Sequence, residues 1–152
     1  MTRAPLAHVA TVSHVAIEVA DLATSITFYQ RTIGLTVAVD QRDETPPQIK
    51  GLVGDFVIEI AQIPAAQVTP DHAAMHRPTL CLSLATPDAI GAFTRLRAAG
   101  FVLQDEPGRR GGATFFSFRD PDGHLIELPD GAPSLSRQVA DRLAATKKVA
   151  AS

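Results

Sequence analysis

Three side chains with the chemistry of metal ligands lie in strand-like segments of this sequence. His14 opens "HVAIEV", Glu59 lies inside "FVIEIAQI" and Glu127 lies inside "HLIEL". Imidazole and carboxylate together suit Zn²⁺, Mn²⁺, Fe²⁺, Co²⁺ or Ni²⁺. A single glutamate on the outer face of an antiparallel strand is ordinary, and a single histidine is more often structural than a ligand. One imidazole and two carboxylates at related positions of a duplicated unit indicate a candidate metal site.

The duplication is visible along the chain. "HVAIEVADLATSITFYQRTIGL" (residues 14–35) can be laid over "TLCLSLATPDAIGAFTRLRAAGF" (residues 79–101), with the strands 65 positions apart and the terminal glycines 66 positions apart. Glu59 and Glu127 are separated by 68 positions, close to the same offset. Each half therefore predicts a strand, a helix and two or three further strands. A half of about 60 residues would bury too little apolar surface to be stable alone, so the two halves are expected to pack together.

Each predicted helix has a start signal and a stop signal. In the first half Asp21 is the predicted N-cap, and Gly34 suits the C′ position. In the second half Thr86 is the predicted N-cap, Pro87 fits the first helical position, and Gly100 ends the helix. Apolar residues at helical spacing give each helix a face for the core. They are Leu22, Ile26, Tyr29 and Ile33 in the first helix and Ile90, Phe93 and Leu96 in the second.

Alternation along the strands separates an apolar side from a mixed side. The predicted apolar sides carry Val15, Ile17, Val19, Phe56, Ile58, Ile60, Leu80, Leu82, Leu84, Ile126 and Leu128. The mixed sides carry His14, Glu59, Thr79 and Glu127 at repeat-related positions. If the strands curl into a half-barrel, these four side chains face one cleft.

The chain length of 152 residues allows one domain of ordinary size or two small halves with a shared core. The predicted divisions are an N-terminal extension (residues 1–12), a first module (residues 13–63), a linker rich in Pro and Ala (residues 64–78), a second module (residues 79–130) and a partly helical C-terminal tail (residues 131–152).

Composition argues against several classes of protein. Apolar residues make up 45% and charged residues 20%, as in soluble globular proteins. A net charge of −2 without a run of one sign gives no footprint for nucleic acid or an anionic membrane. No stretch approaches the roughly 18 to 20 apolar residues of a membrane span, and the N-terminus does not resemble a secretory signal. Because Cys81 is the single cysteine, an internal disulfide is excluded. We therefore expect a cytoplasmic protein.

Two segments together, "HVAIEVADLATSITFYQRTIGL" and "FFSFRDPDGHLIEL", resemble the vicinal oxygen chelate superfamily. The superfamily includes glyoxalase I, methylmalonyl-CoA epimerase, extradiol dioxygenases, fosfomycin-modifying enzymes and bleomycin-binding proteins. The resemblance covers residues 14–128. It implies an α+β fold of two tandem βαβββ modules that form an open, barrel-like sheet around a metal cleft. It also implies a homodimer, formed either side by side or by exchange of modules.

The resemblance also implies a ligand set. The superfamily places ligands on the first and last strands of each module, which gives His14, Glu59, the position of Thr79, and Glu127. Members with a full glyoxalase-like site carry a histidine where this chain has Thr79, and a threonine hydroxyl is a poor ligand for these ions. The expected metal ligands are then His14, Glu59 and Glu127, which leave positions open for water or substrate. The alternative is a decayed site that binds no metal.

The ligand set ranks the reactions of the superfamily. Extradiol dioxygenases and thiol transferases rely on the missing histidine and rank low. The leading hypothesis is metal-assisted proton transfer on a small oxygenated substrate, as in glyoxalase-like or epimerase-like enzymes. A divalent ion (Ni, Co, Zn, Mn or Fe) would stabilise an enolate, and Glu127 or Glu59 would act as the catalytic base. The alternative is a metal-free protein that sequesters a drug or natural product, as bleomycin-binding proteins do.

Four residues are weaker candidates for substrate contacts. Thr79 lies on a mixed strand side, and Arg109 and Arg110 form a basic turn that suits a carboxylate or phosphate. Phe116 belongs to an aromatic group that could line a pocket, although core packing explains at least two of those rings. The "DPDG" run is interpreted as a turn, and His124, which follows it, as structural.

Overall fold

The computed structural model describes residues 13–69, 81–110 and 112–130. The chain divides into two compact units, residues 1–72 and residues 73–152. The predicted N-terminal extension, the predicted tail, most of the predicted linker and Thr79 lie outside the described residues. Neither helix among the described residues is long and apolar enough to cross a membrane.

The first unit is a βαβββ module. Its elements are β1 (Val15–Val19), α1 (Leu22–Ile33), β2 (Thr36–Gln41), β3 (Gln48–Val53) and β4 (Phe56–Gln62), followed by a 3₁₀ turn (Ala65–Gln67). The strands form an open sheet in the order β1-β4-β3-β2. The β1 strand is parallel to β4, and the other pairs are antiparallel.

The second unit repeats this topology. Its elements are β5 (Cys81–Ser83), α2 (Ala89–Ala98), β6 (Gly108–Arg110), β7 (Ala113–Arg119) and β8 (Leu125–Pro129). The sheet order is β5-β8-β7-β6, with β5 parallel to β8. The prediction of two βαβββ modules in an α+β fold is confirmed, and neither sheet is closed.

The first helix follows its sequence signals. Asp21 has extended backbone, and its carboxylate accepts the Thr24 N–H at 2.7 Å. Gly34 ends the helix at a φ of 71°, a conformation that costs glycine little. Leu22 and Tyr29 are buried. They pack on the side of the sheet that carries Ile17, Val19, Ile58 and Ile60, and each buried aliphatic side chain contributes about 1.5–3 kcal/mol.

The second helix begins later than the sequence signals suggest, so the prediction of Thr86 as N-cap and Pro87 as first helical residue is wrong. The Thr86 N–H donates to the Pro129 carbonyl, which keeps this residue alongside β8. Asp88 is the N-cap, and its carboxylate accepts the Gly91 N–H at 2.8 Å. The apolar face shifts with the start of the helix: Ala89, Phe93 and Leu96 are buried, while Ile90 is 59% exposed.

Candidate metal-binding residues in each unit

The first unit brings His14 and Glu59 to the same face of its sheet. The parallel register of β1 and β4 pairs Ala16 with Glu59, and His14 lies two residues before Ala16. Because side chains alternate along a strand, His14 and Glu59 face the same way. His14 Nε2 lies 4.0 Å from Glu59 Oε2. The prediction that these two side chains share a face therefore agrees with the strand register.

Two neighbours orient this pair. Ser13 Oγ lies 2.6 Å from His14 Nδ1. The hydroxyl oxygen can accept a hydrogen bond from a protonated Nδ1, and the lone pair of Nε2 is then free to bind a metal. Lys50, the direct partner of Glu59 on β3, places its Nζ 3.3 Å from Glu59 Oε2. The Glu59 side chain is 19% exposed, so the ammonium compensates a carboxylate that is largely removed from water.

The second unit presents Glu127 in a similar setting. Glu127 lies on β8 between Ser83 on β5 and Ser117 on β7. The Ser83 hydroxyl donates to Glu127 Oε1 at 3.3 Å, and Arg110 Nη2 donates to Oε2 at 2.8 Å. The Glu127 side chain is 17% exposed. The Arg110 guanidinium also lies 4.5 Å from the centre of the Phe115 ring, at a cation–π distance.

The side chains of Arg109 and Arg110, the two arginines of the predicted basic turn, lie on opposite faces of the second sheet. Arg110 pairs with Ala113 and Arg109 with Thr114, so the two side chains leave β6 on opposite faces. Arg110 shares the face of Glu127, whereas the positive charge of Arg109 contributes to the lowered pKa of Asp130. That lowering comes first from the hydrogen bond that the Asp130 carboxylate accepts from the Ala89 N–H.

Phe116 lies on the helix side of the second sheet. Its side chain is 1% exposed and meets the Phe93 ring of α2 edge-on at 5.4 Å. A cavity of about 660 Å³ is present between α2 and the segment before β6, also on the helix side. It is lined by Ile90, Phe93, Thr94, Arg97, Ala98, Glu106 and Pro107. Phe116 therefore contributes to the core, on the face opposite Glu127.

The register also identifies a residue that the sequence comparison did not. Asp88 caps α2 as Asp21 caps α1, 67 positions earlier, and Ser83 pairs with Glu127 as Ala16 pairs with Glu59. The same 67-position offset relates His14 to Cys81. By this register the counterpart of His14 is Cys81, whereas the strand alignment and the superfamily resemblance gave the position of Thr79. Placing the second N-cap at Asp88 would have revealed this from the sequence.

Cys81 shares the face of Glu127, because it lies two residues before Ser83 on β5. Partial burial raises the pKa of the Cys81 thiol, and the negative charge of Glu127 raises it further, while Arg110 opposes the shift. The charges of Glu127 and Arg110 both act on the Cys81 thiol, in agreement with the position of all three side chains on one face of the second sheet.

The turn before β8 explains how Glu127 is positioned. The Asp120 carboxylate is buried and accepts hydrogen bonds from the backbone N–H groups of Asp122 and His124. His124 Nδ1 lies 3.0 Å from the same carboxylate, and this contact raises the pKa of His124. The "DPDG" run and His124 therefore have the structural role predicted for them.

The donor atoms suit a divalent ion. Imidazole nitrogen and carboxylate oxygen are ligands of Zn²⁺, Mn²⁺, Fe²⁺ and Co²⁺ sites, and thiolate sulfur suits Zn²⁺ best among these ions. Two ligands at about 2.1 Å from one ion lie about 3.0–3.4 Å apart, so a small rotation would bring His14 and Glu59 to that spacing. Neither unit by itself, among its described residues, groups three such side chains.

The family model of the glyoxalase/bleomycin resistance protein/dioxygenase superfamily matches residues 11–128. The chain belongs to this superfamily. The match includes His14, Glu59, Cys81 and Glu127.

Among the curated proteins of this superfamily, the glutathione transferase FosA of Serratia marcescens is 29% identical over 136 residues, which are 90% of this chain and 87% of that protein. Among solved structures, UcmS2 matches with a TM-score of 0.69 at 23% identity, covering 82% of this chain and 100% of that one. A glutamate-to-glutamine variant of the fosfomycin resistance protein FosX from Listeria monocytogenes matches with a TM-score of 0.63 at 22% identity, covering 88% and 99%. That structure holds Mn(II) and 1S,2S-dihydroxypropylphosphonic acid. At these identities the structural matches establish the fold.

Proposed function

We propose that this chain is a divalent-metal-dependent enzyme that uses His14, Glu59 and Glu127 as metal ligands. One observation carries the proposal: each unit holds a nitrogen or sulfur donor and a carboxylate at the same register positions. The pairs are His14 with Glu59 and Cys81 with Glu127. Cys81 thereby becomes a fourth candidate donor, in place of the unsuitable Thr79. The binding of Mn(II) by FosX supports a divalent ion.

The proposed reaction is proton transfer next to two adjacent substrate oxygens, as in a glyoxalase-like or epimerase-like lyase or isomerase. A bound ion would act as a Lewis acid toward a developing oxyanion. Glu59 is one candidate base, because its side chain is 19% exposed and lies on the face of His14. Glu127 is the alternative base, and Arg110 is placed to meet an anionic group of the substrate.

A second candidate is addition of water or a thiol to a phosphonate epoxide such as fosfomycin. The similarity to FosA favours it, as does the vicinal diol phosphonate bound by FosX. The low rank of thiol transferases rested on Thr79 in the histidine position, and Cys81, on the face of Glu127, offers another donor in that unit. In this reaction Glu59 would take the proton of the attacking water or thiol.

The experiment is the metal content of the purified protein after incubation with Mn²⁺, Co²⁺, Ni²⁺, Zn²⁺ or Fe²⁺ and desalting. We expect about one ion per chain, lost in His14→Ala and Glu127→Gln and reduced in Cys81→Ser. Glu18→Gln is the matched control, because Glu18 is an exposed carboxylate on the β1 strand that His14 precedes.

The loaded protein is then assayed with hemithioacetals of 2-oxoaldehydes, with acyl-CoA epimers, and with fosfomycin in the presence and absence of glutathione. Turnover of the first two substrates supports proton transfer, and loss of fosfomycin supports the second candidate. Absence of bound metal under every condition would refute the enzyme proposal and favour the metal-free drug-binding protein.

We also propose a cytoplasmic homodimer. The support is the superfamily resemblance and the single cysteine, which suits a reducing compartment. Light scattering on a sizing column should give twice the chain mass, and a monomer at micromolar concentration would contradict the assembly.

A further inference from the structure

We propose that Arg110 is a latch on Glu127. It holds this carboxylate in the metal-free protein and transfers to the anionic group of the substrate when Glu127 takes a metal. The inference rests on the proposed function, because it assumes that Glu127 is a metal ligand.

Both oxygens of Glu127 already have a donor. Ser83 Oγ donates a hydrogen bond to Oε1 at 3.3 Å, and Arg110 Nη2 donates one to Oε2 at the shorter distance of 2.8 Å. A cation that binds Glu127 repels the guanidinium and competes for its oxygen, whereas the neutral serine hydroxyl can remain. Arg110 is thus the group that has to leave.

Arg110 can leave at small cost. Its side chain is 69% exposed, and β6 is the edge strand of its sheet. An ion pair at this exposure is worth little, because water screens the charges and two side chains must be held in one geometry. Gly112, with a φ of 88°, follows closely and gives the hairpin a conformation that other residues rarely adopt.

A released Arg110 would still be held near the candidate site. The Phe115 ring lies under the guanidinium at 4.5 Å, and it shares the sheet face of Glu127. A guanidinium has five N–H donors in a planar fork that matches phosphate, phosphonate and carboxylate oxygens. Among its contacts with described residues, Arg110 uses Nη2 to bind Glu127, which leaves its other N–H donors for such an anion.

Two opposite effects on metal affinity follow. Without an anion, Arg110 competes with the metal for Glu127. With an anion bound, Arg110 stabilises the loaded site, and metal and anion must enhance each other's binding by the same factor. A residue that merely orients Glu127 would strengthen metal binding under both conditions, so the sign of the change separates the two roles.

The test is calorimetric titration of Mn²⁺ into the full chain at low ionic strength, with and without inorganic phosphate. The proteins are the wild type, Arg110→Gln and the control Arg109→Gln, which alters the adjacent arginine on the opposite face. Without phosphate, Arg110→Gln should bind Mn²⁺ about two- to fivefold more tightly than the wild type. Phosphate should tighten Mn²⁺ binding by the wild type and by Arg109→Gln, and by a smaller factor in Arg110→Gln.

If Arg110→Gln binds Mn²⁺ no more tightly than the wild type without phosphate, the latch is overturned. In that case the proposed function still stands as long as the wild type binds Mn²⁺. An equal phosphate effect in all three proteins would also overturn it. Failure of all three proteins to bind Mn²⁺ would overturn both the latch and the proposed metal site. Circular dichroism of each variant checks that the fold is retained.

Discussion

Asp120 is the residue whose replacement should most disturb the turn that leads to Glu127. Its side chain is fully buried and accepts hydrogen bonds from Asp122 N at 3.0 Å and His124 N at 2.7 Å, and it contacts His124 Nδ1 at 3.0 Å. Asp120→Ala leaves these donors without their acceptor. Hydrogen bonds to a charged group contribute about 1.5–3 kcal/mol each, with incomplete additivity, so we expect a loss of about 3–5 kcal/mol in the free energy of unfolding.

Asp120→Asn should cost less, about 1–2 kcal/mol, and should change the pH dependence. An amide oxygen can still accept the two backbone N–H groups, but the charge that stabilises protonated His124 is gone. In the wild type, the hydrogen bond to Asp120 raises the pKa of His124 above its ordinary value of 6.5. A raised pKa contributes stability that is fully present below pH 6.5 and is lost as the pH rises through the folded-state pKa.

The assay is urea unfolding followed by far-UV circular dichroism and Phe/Tyr fluorescence, at pH 6.0 and at pH 8.5. Two probes are used because coincident transitions test whether unfolding is two-state. The wild type should lose stability between these pH values, and Asp120→Asn should lose less. Asp105→Asn, an exposed carboxylate of the same unit, serves as control. If Asp120→Asn matches the wild type at pH 6.0, or keeps its full pH dependence, the buried ion pair is not the source of the stability.

Three further predictions concern particular contacts. Asp88→Ala should destabilise the protein by about 1 kcal/mol in urea unfolding while Thr86→Ala costs clearly less, because Asp88 caps α2; the reverse order would restore Thr86 as the cap. Phe116→Ala should cost about 3–5 kcal/mol without changing the metal content per folded chain, and a selective loss of metal would contradict its core position. Glu127→Gln should speed the alkylation of Cys81 by iodoacetamide at pH 8 in metal-free protein, because the negative charge of Glu127 raises the thiol pKa. An unchanged alkylation rate would show that the charge of Glu127 does not act on the Cys81 thiol.

Much of the fold was predictable because its signals are local. Alternation along β1 and β4 placed Ile17 and Ile58 on the helix side, and their mixed sides carry His14 and Glu59. The Asp21 cap and the Gly34 stop bounded α1 correctly. Such signals depend on side chains within one helical turn or along one strand, and a single sequence contains them completely.

Other features depended on hydrogen bonds between distant segments. The Thr86 N–H is bonded to Pro129, and this contact across more than forty residues delays the start of α2. With Asp88 as the cap, the repeat has an offset of 67 positions, which relates His14 to Cys81 and not to Thr79. Glu127 could be selected from the repeat alone, but its neighbours Ser83 and Arg110 became visible only with the pairing of β5 and β8 and the ion pair across the sheet.

The sequence by itself determined the repeated unit of a strand, a helix and further strands, the first helix, and the strand positions of His14, Glu59 and Glu127, because each follows from periodicity or from a duplicated pattern. The resemblance to the superfamily added the βαβββ form of the module. Tertiary structure alone decided that Arg110 shares the face of Glu127 and that Arg109 lies on the other face. Strand register is the physical reason: a shift of one residue moves a side chain to the opposite face, and register is set by backbone hydrogen bonds between strands that are far apart in the chain.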